Sequence, residues 1–289
     1  MIEREIMRAS CVSADLKRLL QQCPLLPCTV YGVYSKTFSL LSPGGSIISC
    51  VWQPGPLVPM GFCAAAPQNS HALQRGQQKL LCWGERHSQA DIWFAPDIQE
   101  ISLKLFPQHG IVTNDQKQAV QAVLNTNRPE GGMGDMLAGT VWDALRPLSK
   151  PPNAQRTQAG LQMEGFLNAA AAALPPERWP KVIGLGIGLT PAADDFILGM
   201  LAALRWRGHP AGEALARYTQ LHWGGTTPVS SQMLRHGLQG EYPARLLAVF
   251  DQMGHPLRLR KALCQLGEHG HSSGMDMLYG VYHGLQWPE

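Results

Sequence analysis

Long apolar runs, clustered charge and paired cysteines are all missing from this sequence, and each absence removes a class of protein. The longest apolar stretch near the middle, Phe196 to Leu204, is broken by Gly199 and ends at Arg205. That is far short of the roughly 20 residues needed for a membrane span. Charged residues are only 16% of the 289, yet 45% are apolar. A chain of this length and composition buries a real core and is not solvated disorder. The 24 Lys and Arg residues are scattered, in runs no longer than two, and the net charge is +3. A nucleic-acid groove needs a clustered basic stripe, so neither nucleic acid nor a membrane is expected as partner. Seven cysteines (Cys11, Cys23, Cys28, Cys50, Cys63, Cys82 and Cys264) include no C-x-x-C pair, which excludes metal fingers and disulfide frameworks. They are expected to be small buried hydrophobes in a reducing compartment. Ten histidines include no H-E-x-x-H, and His269 with His271 lacks a third ligand nearby, so no metal or other cofactor is expected. Met1 to Ser10 carries Glu3, Arg4, Glu5 and Arg8 where a secretory signal would be apolar, and a cytoplasmic location is the expectation.

What the chain does have is turn chemistry: 30 Gly and 22 Pro. From Thr29 to about Phe106, short β-type runs alternate with turn residues: Thr29–Tyr34, Phe38–Leu41, Ile47–Trp52, Leu57–Phe62, Lys79–Trp83, Asp91–Phe94 and Ile101–Leu105. Ser42-Pro-Gly-Gly45 reads as a hairpin turn. After Pro107 the period becomes helical, with helices predicted from Thr113 or Asn114 to Asn125, Asp135 to Leu145, and Gln155 to Leu174. Ser149–Asn153 is the most linker-like stretch, at a length that suits a loop between helices. Pro191, Pro228 and Pro243 are each predicted at a first helical position, where the missing N–H costs nothing. The fold class is therefore α+β, with a β-rich N-terminal domain over 1–110 and a helical domain over 111–289 carrying Gly-rich anion-binding turns.

One pattern occurs three times: Asp135-Met-Leu-Ala-Gly139, Asp195-Phe-Ile-Leu-Gly199 and Asp276-Met-Leu-Tyr-Gly280. Each puts an acid in the first turn of a predicted helix and a Gly on the same face one turn later. The acids complement the helix dipole and the glycines admit a neighbouring backbone. Equally, the three helix starts can share a ligand cavity.

The densest candidate for chemistry is Gly184-Leu-Gly-Ile-Gly-Leu-Thr-Pro-Ala-Ala-Asp-Asp195. Lys181-Val-Ile183 reads as a strand entering the Gly-rich turn, with Thr190 as cap and the free N–H groups of the following helix turned outward to meet an anion. It is neither a G-x-G-x-x-G dinucleotide fingerprint nor a P-loop. Asp194 and Asp195 repel, so burial of both requires a raised pKa or a shared cation. They point about 100° apart on a helix, so one can face a site while the other braces a loop; Asp195, with Gly199 one turn on, is the one expected to pack. In Gly270-His-Ser-Ser-Gly-Met-Asp276, Ser273 and Asp276 fit a capping box. The same letters match the G-x-S-x-G nucleophile elbow, which wants a preceding strand and a later acid and His. Thr226-Thr-Pro-Val-Ser-Ser231, followed by Arg235, is a third hydroxyl-rich helix start.

Together, Gly184–Gly199, Thr226–Ser230 with Leu234, Arg235 and Gly240, and Gly270–Asp276 with Gly280 resemble a bacterial family long labelled as of unknown function. One member of it is a subunit of the anaerobic oxamate carbamoyltransferase of allantoin degradation. The resemblance is specific over residues 181 to 284. It implies a reaction in which oxalurate and phosphate give oxamate and carbamoyl phosphate, other subunits as partners, and a carbamate kinase nearby. Carried onto this chain, it implies Asp194, Asp195 and Asp276 as catalytic residues. Gly186, Gly188, Thr190, Ser230, Arg235, Ser272, Ser273 and Gly274 are then expected to bind a small anion: oxalurate, carbamoyl phosphate or phosphate. Arg128 or Arg235 would hold a carboxylate by a bidentate contact. The S-T-R-T loop by which aspartate and ornithine transcarbamylases bind carbamoyl phosphate does not occur here. Two other functions remain open at this stage: a non-catalytic scaffold or regulatory subunit, and a serine hydrolase acting through Ser272 or Ser273.

Overall fold

The computed structural model of the protein describes residues 6–53, 55–65, 73–126, 129–144 and 157–288. Arg128 and the Ser149–Asn153 stretch lie outside the described residues. The chain divides into two compact units, Met1–Leu103 and Lys104–Glu289.

The first unit is a strand-rich barrel. Its strands are β1 (Met7–Ser13), β2 (Leu25–Val33), β3 (Thr37–Leu41), β4 (Ile47–Trp52), β5 (Gly61–Ala64), β6 (Gln78–Trp83), β7 (Ile92–Phe94) and β8 (Gln99–Ile101). They form one sheet in the order β5-β4-β3-β2-β6-β7-β1-β8, closed by a β5–β1 pairing. Along β2, Leu26, Cys28 and Val30 are buried, alternating with more exposed neighbours, as a strand with one wet face requires. The β3–β4 reversal is the hairpin expected at Ser42–Gly45: Gly45 sits at φ +81° and its N–H donates to Ser42 O at 3.0 Å. Phe62 packs edge-on to Phe38 and Phe94 in the interior. A helix α1 (Ala14–Gln22) adds Leu16 and Leu20 to that core. Four cysteines are buried as expected, but Cys23 and Cys264 are exposed and Cys11 is half-buried.

Helices make up most of the second unit: α2 (Asn114–Leu124), α3 (Met133–Leu137), α4 (Gln158–Ala171), α5 (Ala192–Arg207), α6 (Ala211–His222), α7 (Pro228–Leu238), α8 (Ala244–Asp251), α9 (Pro256–Gly267) and α10 (Ser273–Gln286). Thr113 and Gln116 close α2 with a reciprocal capping box. At α3 the predicted helix is much shorter than Asp135–Leu145, because Gly139 takes φ +71° right after it. Pro228 does open α7, whereas Pro191 and Pro243 sit one residue earlier, at the caps of α5 and α8.

Buried on nearly every face, α5 and α10 form the centre of this unit, as helices apolar all round do. They run parallel, since Gly199 faces Met277 and Gly280 faces Phe196 and Met200, while Gly284 faces Met200 and Ala203. A Cβ on Gly199 would lie 2.1 Å from Met277 O, and one on Gly280 1.9 Å from Phe196 O. Only glycine permits that approach. At the far end Arg207 donates to Gly284 O at 2.9 Å and Trp287 O at 2.8 Å. A cation therefore caps the negative end of α10, and both positive ends lie together at the other.

Candidate functional site

Near those two helix starts lie three carboxyl groups, all nearly excluded from water: Asp194 is 1% exposed, Asp195 3% and Asp276 1%. Their partners are hydroxyls and backbone N–H groups. Asp194 Oδ1 accepts from Gly184 N at 2.7 Å, and Oδ2 accepts from Thr226 Oγ1 at 2.5 Å and Ser230 Oγ at 2.6 Å. Asp194 thus ties the glycine-rich loop and the start of α7 to α5, which is the bracing role. Thr227 caps α7 by accepting from Ser230 N at 3.1 Å and donates from its hydroxyl to Leu189 O.

Asp195 is differently placed. The Ser273 and Thr190 hydroxyls hydrogen-bond its side chain and lie 2.8 Å from each other, but Oδ2 has no hydrogen-bond partner among the described residues. Asp276 Oδ1 accepts from Met133 N at 2.6 Å, the Ser272 hydroxyl also reaches Asp276, and Asp276 Oδ2 has no partner among the described residues. Two buried carboxyl oxygens without partners, on adjacent helix starts, are costly in a fold that does not use them.

Burial, which disfavours charge, raises the pKa of all three. For Asp194 the three donors offset part of that rise. Asp195 is pushed well above the ordinary range, first by burial and then by the charges of Asp276 and Asp194, against the Ser273 and Thr190 bonds. Asp276 rises to about 6, mainly by burial, with Met133 N–H and Ser272 opposing. Burial of the Asp194–Asp195 pair is thus accompanied by a raised pKa on both acids. Both are packed, rather than Asp195 alone.

Several expectations need correction. Lys181–Ile183 is not a strand: it is an irregular segment that enters a turn at Ile183 and is held by Tyr218, whose hydroxyl accepts from Val182 N and donates to Pro180 O, each at 2.9 Å. The N–H groups opening α5 do not all turn outward, because Ala193 N donates to Leu185 O at 3.0 Å and Gly186 lies against Ala192 N. The loop folds back over the helix start and leaves its own Gly186–Leu189 tip exposed. Thr190 bonds Ser273 rather than capping α5. Ser273 and Asp276 do not form a capping box, since each is engaged by a distant segment. Before Ser272 comes a turn, not a strand, and the later His283 is buried more than two turns along the same helix, so the nucleophile-elbow reading loses its geometry.

Of the expected residues, the fold brings together Gly186, Thr190, Asp194, Asp195, Ser230, Ser272, Ser273 and Asp276 through these bonds and contacts. Gly188 sits on the exposed loop at φ +96° with nothing within 4 Å of a Cβ position. Gly274 faces the other way, its Cβ position 1.8 Å from Leu266 O, and serves α9–α10 packing. Arg235 is exposed late in α7, over the Trp223 ring at 5.0 Å. Of the three Asp-to-Gly copies, the first differs: Asp135 is exposed and caps locally, accepting from Gly131 N at 2.9 Å. Its helix start still joins the others through Met133. Sequence reasoning missed Tyr218 and the Gly132–Met133 turn, where a Cβ on Gly132 would lie 3.0 Å from Asp276 Oδ1. The repeated Asp-to-Gly spacing was the one signal pointing to that turn.

Among the described residues, no helix is long and apolar enough to cross a membrane. No solved structure matches the chain. The segment that carries the paired acids, the Thr226–Ser230 turn and the start of α10 does have a counterpart: residues 182–285 match the family model described as oxamate carbamoyltransferase subunit AllH, the family that their motifs resemble.

Proposed function

We propose that this chain is a subunit of an oxamate carbamoyltransferase-like enzyme that converts oxalurate and phosphate to oxamate and carbamoyl phosphate. A small anion of that set is held where α5 and α10 begin. The observation that carries this reading is the buried Oδ2 of Asp195, without a partner among the described residues, inside the segment matched to that family. Ionised carboxylates would repel such a ligand. The burial that raises Asp195 keeps it protonated, so it offers an O–H donor, as a carboxylic acid in an apolar site can.

Two parallel helix starts add a positive potential. The Thr190, Ser272 and Ser273 hydroxyls and the exposed Gly186–Gly188 backbone add donors that stabilise charge on oxygen as the carbamoyl carbon becomes tetrahedral. Asp194, Thr226 and Ser230 hold the loop in place. Arg235, seated on Trp223, has no part in the proposal. The other subunits of the complex are the partners, and an anionic substrate is the ligand.

A scaffold role is the second reading, favoured by the close packing at Gly199 and Gly280. One experiment separates the two: carbamoyl phosphate formation by the complex assembled with Asp195→Ala, which removes the donor that an asparagine would keep. The catalytic reading predicts a loss on the order of 100-fold or more, the scale of a lost transition-state donor, with the complex still assembled. Unchanged activity would leave the scaffold.

A further inference from the structure

Independently of that site, the barrel carries a pair of cysteines that sequence spacing does not connect. Cys11 on β1 and Cys63 on β5 are directly opposed across an antiparallel pairing. Opposed residues in such a ladder have Cα atoms roughly 4.5–5.5 Å apart, inside the roughly 4.4–6.8 Å window of a disulfide. Phe62 and Ala64 belong to the barrel interior, so Cys63 between them points to the outer face. On β1, Val12 belongs to the interior, which turns its neighbour Cys11 outward as well.

The two thiols differ in a useful way. Cys11 is half-exposed and Cys63 is 3% exposed. The Cys63 thiol and backbone N–H hydrogen-bond the Cys11 sulfur and, against the effect of burial, pull its pKa down to about 7. Ser10 is held, donating to Cys63 O at 3.0 Å and accepting from Gln53 Nε2 at 2.5 Å. Cys63 is pushed up, first by its bond to Cys11 and then by burial, and stays a thiol. An accessible thiolate beside a protonated, shielded partner is the arrangement of a nucleophilic and a resolving cysteine. Cys50, the third thiol nearby, belongs to the interior cluster and sits on β4, one strand beyond β5, so it cannot reach Cys11 across two strand spacings of about 4.8 Å.

We propose that Cys11 and Cys63 form a peroxide-responsive dithiol on the outer face of the barrel, closing to a cross-strand disulfide between β1 and β5. The Cys11 thiolate attacks one oxygen of hydrogen peroxide, the O–O bond breaks and hydroxide leaves, giving a sulfenic acid. The Cys63 sulfur then attacks the Cys11 sulfur and the S–O bond breaks. The hydroxyl leaves with the Cys63 proton as water. The hydroxide takes up the proton that Cys11 released on ionising, so both sulfurs are oxidised and one peroxide is reduced to two waters.

The test treats the full wild-type chain with hydrogen peroxide near neutral pH and maps its cysteines by mass spectrometry without reduction. The expected product is a Cys11–Cys63 cross-link with the loss of two hydrogens. Alkylation of Cys11 by iodoacetamide should rise with pH around a midpoint of about 7. In Cys63→Ser, dimedone should trap the sulfenic acid on Cys11. A Cys11–Cys50 link, or oxidation confined to the exposed Cys23 and Cys264 with Cys11 and Cys63 left reduced, would overturn the proposal. The wild-type mapping decides this even if the variant does not fold.

Discussion

Replacing Gly280 by alanine opposes two effects of known sign, and their balance tests how α5 and α10 meet. Helix propensity alone makes the change favourable by about 1 kcal/mol, because Gly280 is inside a helix. Packing acts the other way. The new Cβ would lie 1.9 Å from Phe196 O and 2.7 Å from Met200 N, where ordinary contact begins at 3.4 Å. Both are backbone atoms of α5, so no side chain can turn aside and the helices must separate by about 1.5 Å, taking 3.4 Å as the target. Overpacking of that kind costs about 3 kcal/mol, at the upper end of the usual range. The net loss is about 2 kcal/mol, which for a unit of this size lowers the melting temperature by about 4–8 °C. Thermal unfolding followed by circular dichroism measures it. Gly224→Ala is the control, since nothing lies within 4 Å of its Cβ position, and should stay within about 0.5 kcal/mol of wild type. A Gly280→Ala variant as stable as wild type, or more so, refutes the close parallel packing and with it the juxtaposition of Asp195 and Asp276.

Other consequences follow from the same geometry. Asp194→Ala strips the acceptor from Gly184 N–H and from the Thr226 and Ser230 hydroxyls, and should cost about 3–5 kcal/mol in urea unfolding, at about 1–3 kcal/mol per stranded donor with the hydroxyls partly re-bonding. A loss under about 1 kcal/mol would contradict the bracing role. The Asp276 carboxyl titrates near 6 when folded against 3.8 as a free group. A raised folded pKa means stability that is complete below pH 3.8 and lost as the pH climbs through about 6. Asp276→Asn should therefore gain on wild type by about 2 kcal/mol between pH 4 and 6.5, measured as the difference in unfolding free energy across that range. His283, buried and lowered to about 4, has the opposite slope: its contribution is complete above 6.5 and lost as the pH falls through about 4. The two partly cancel in wild type, and Asp276→Asn unmasks the histidine. A pH-independent difference between wild type and Asp276→Asn would sink this assignment.

The sequence reveals structure best where it is local. The β3–β4 hairpin rests on Ser42-Pro-Gly-Gly45, and α2 rests on Thr113 and Gln116, each a few residues from its partner. Strand β1 escaped notice because the short alternation of Met7-Arg-Ala-Ser-Cys11 breaks at Val12, and its place is set by pairing with β5 and β7, 50 or more residues away. Lys181–Ile183 has strand composition but no strand partner; Tyr218 supplies its hydrogen bonds from α6. At the site, the identity of the acids was readable and their state was not. Ser273 and Asp276 look like a local capping pair, yet Asp276 is claimed by Met133, 143 residues away, and Ser273 by Thr190, 83 residues away. Repeated Asp-to-Gly spacing announced close helix packing because glycine has one steric use there. It gave no sign that Gly139 ends a helix instead.

The central claim is that the adjoining starts of α5 and α10 hold an anion through Asp195, and the direct measurement is the melting temperature of the chain, together with its partner subunits, as carbamoyl phosphate or oxalurate is added. At ligand concentrations about 100 times Kd, binding adds about 2.7 kcal/mol, a rise of about 5–10 °C for a unit this large. The expected result is that rise for wild type and its loss in both Asp195→Ala and Gly188→Val. A wild-type melting temperature that neither ligand moves, or a shift that survives both substitutions, would contradict it.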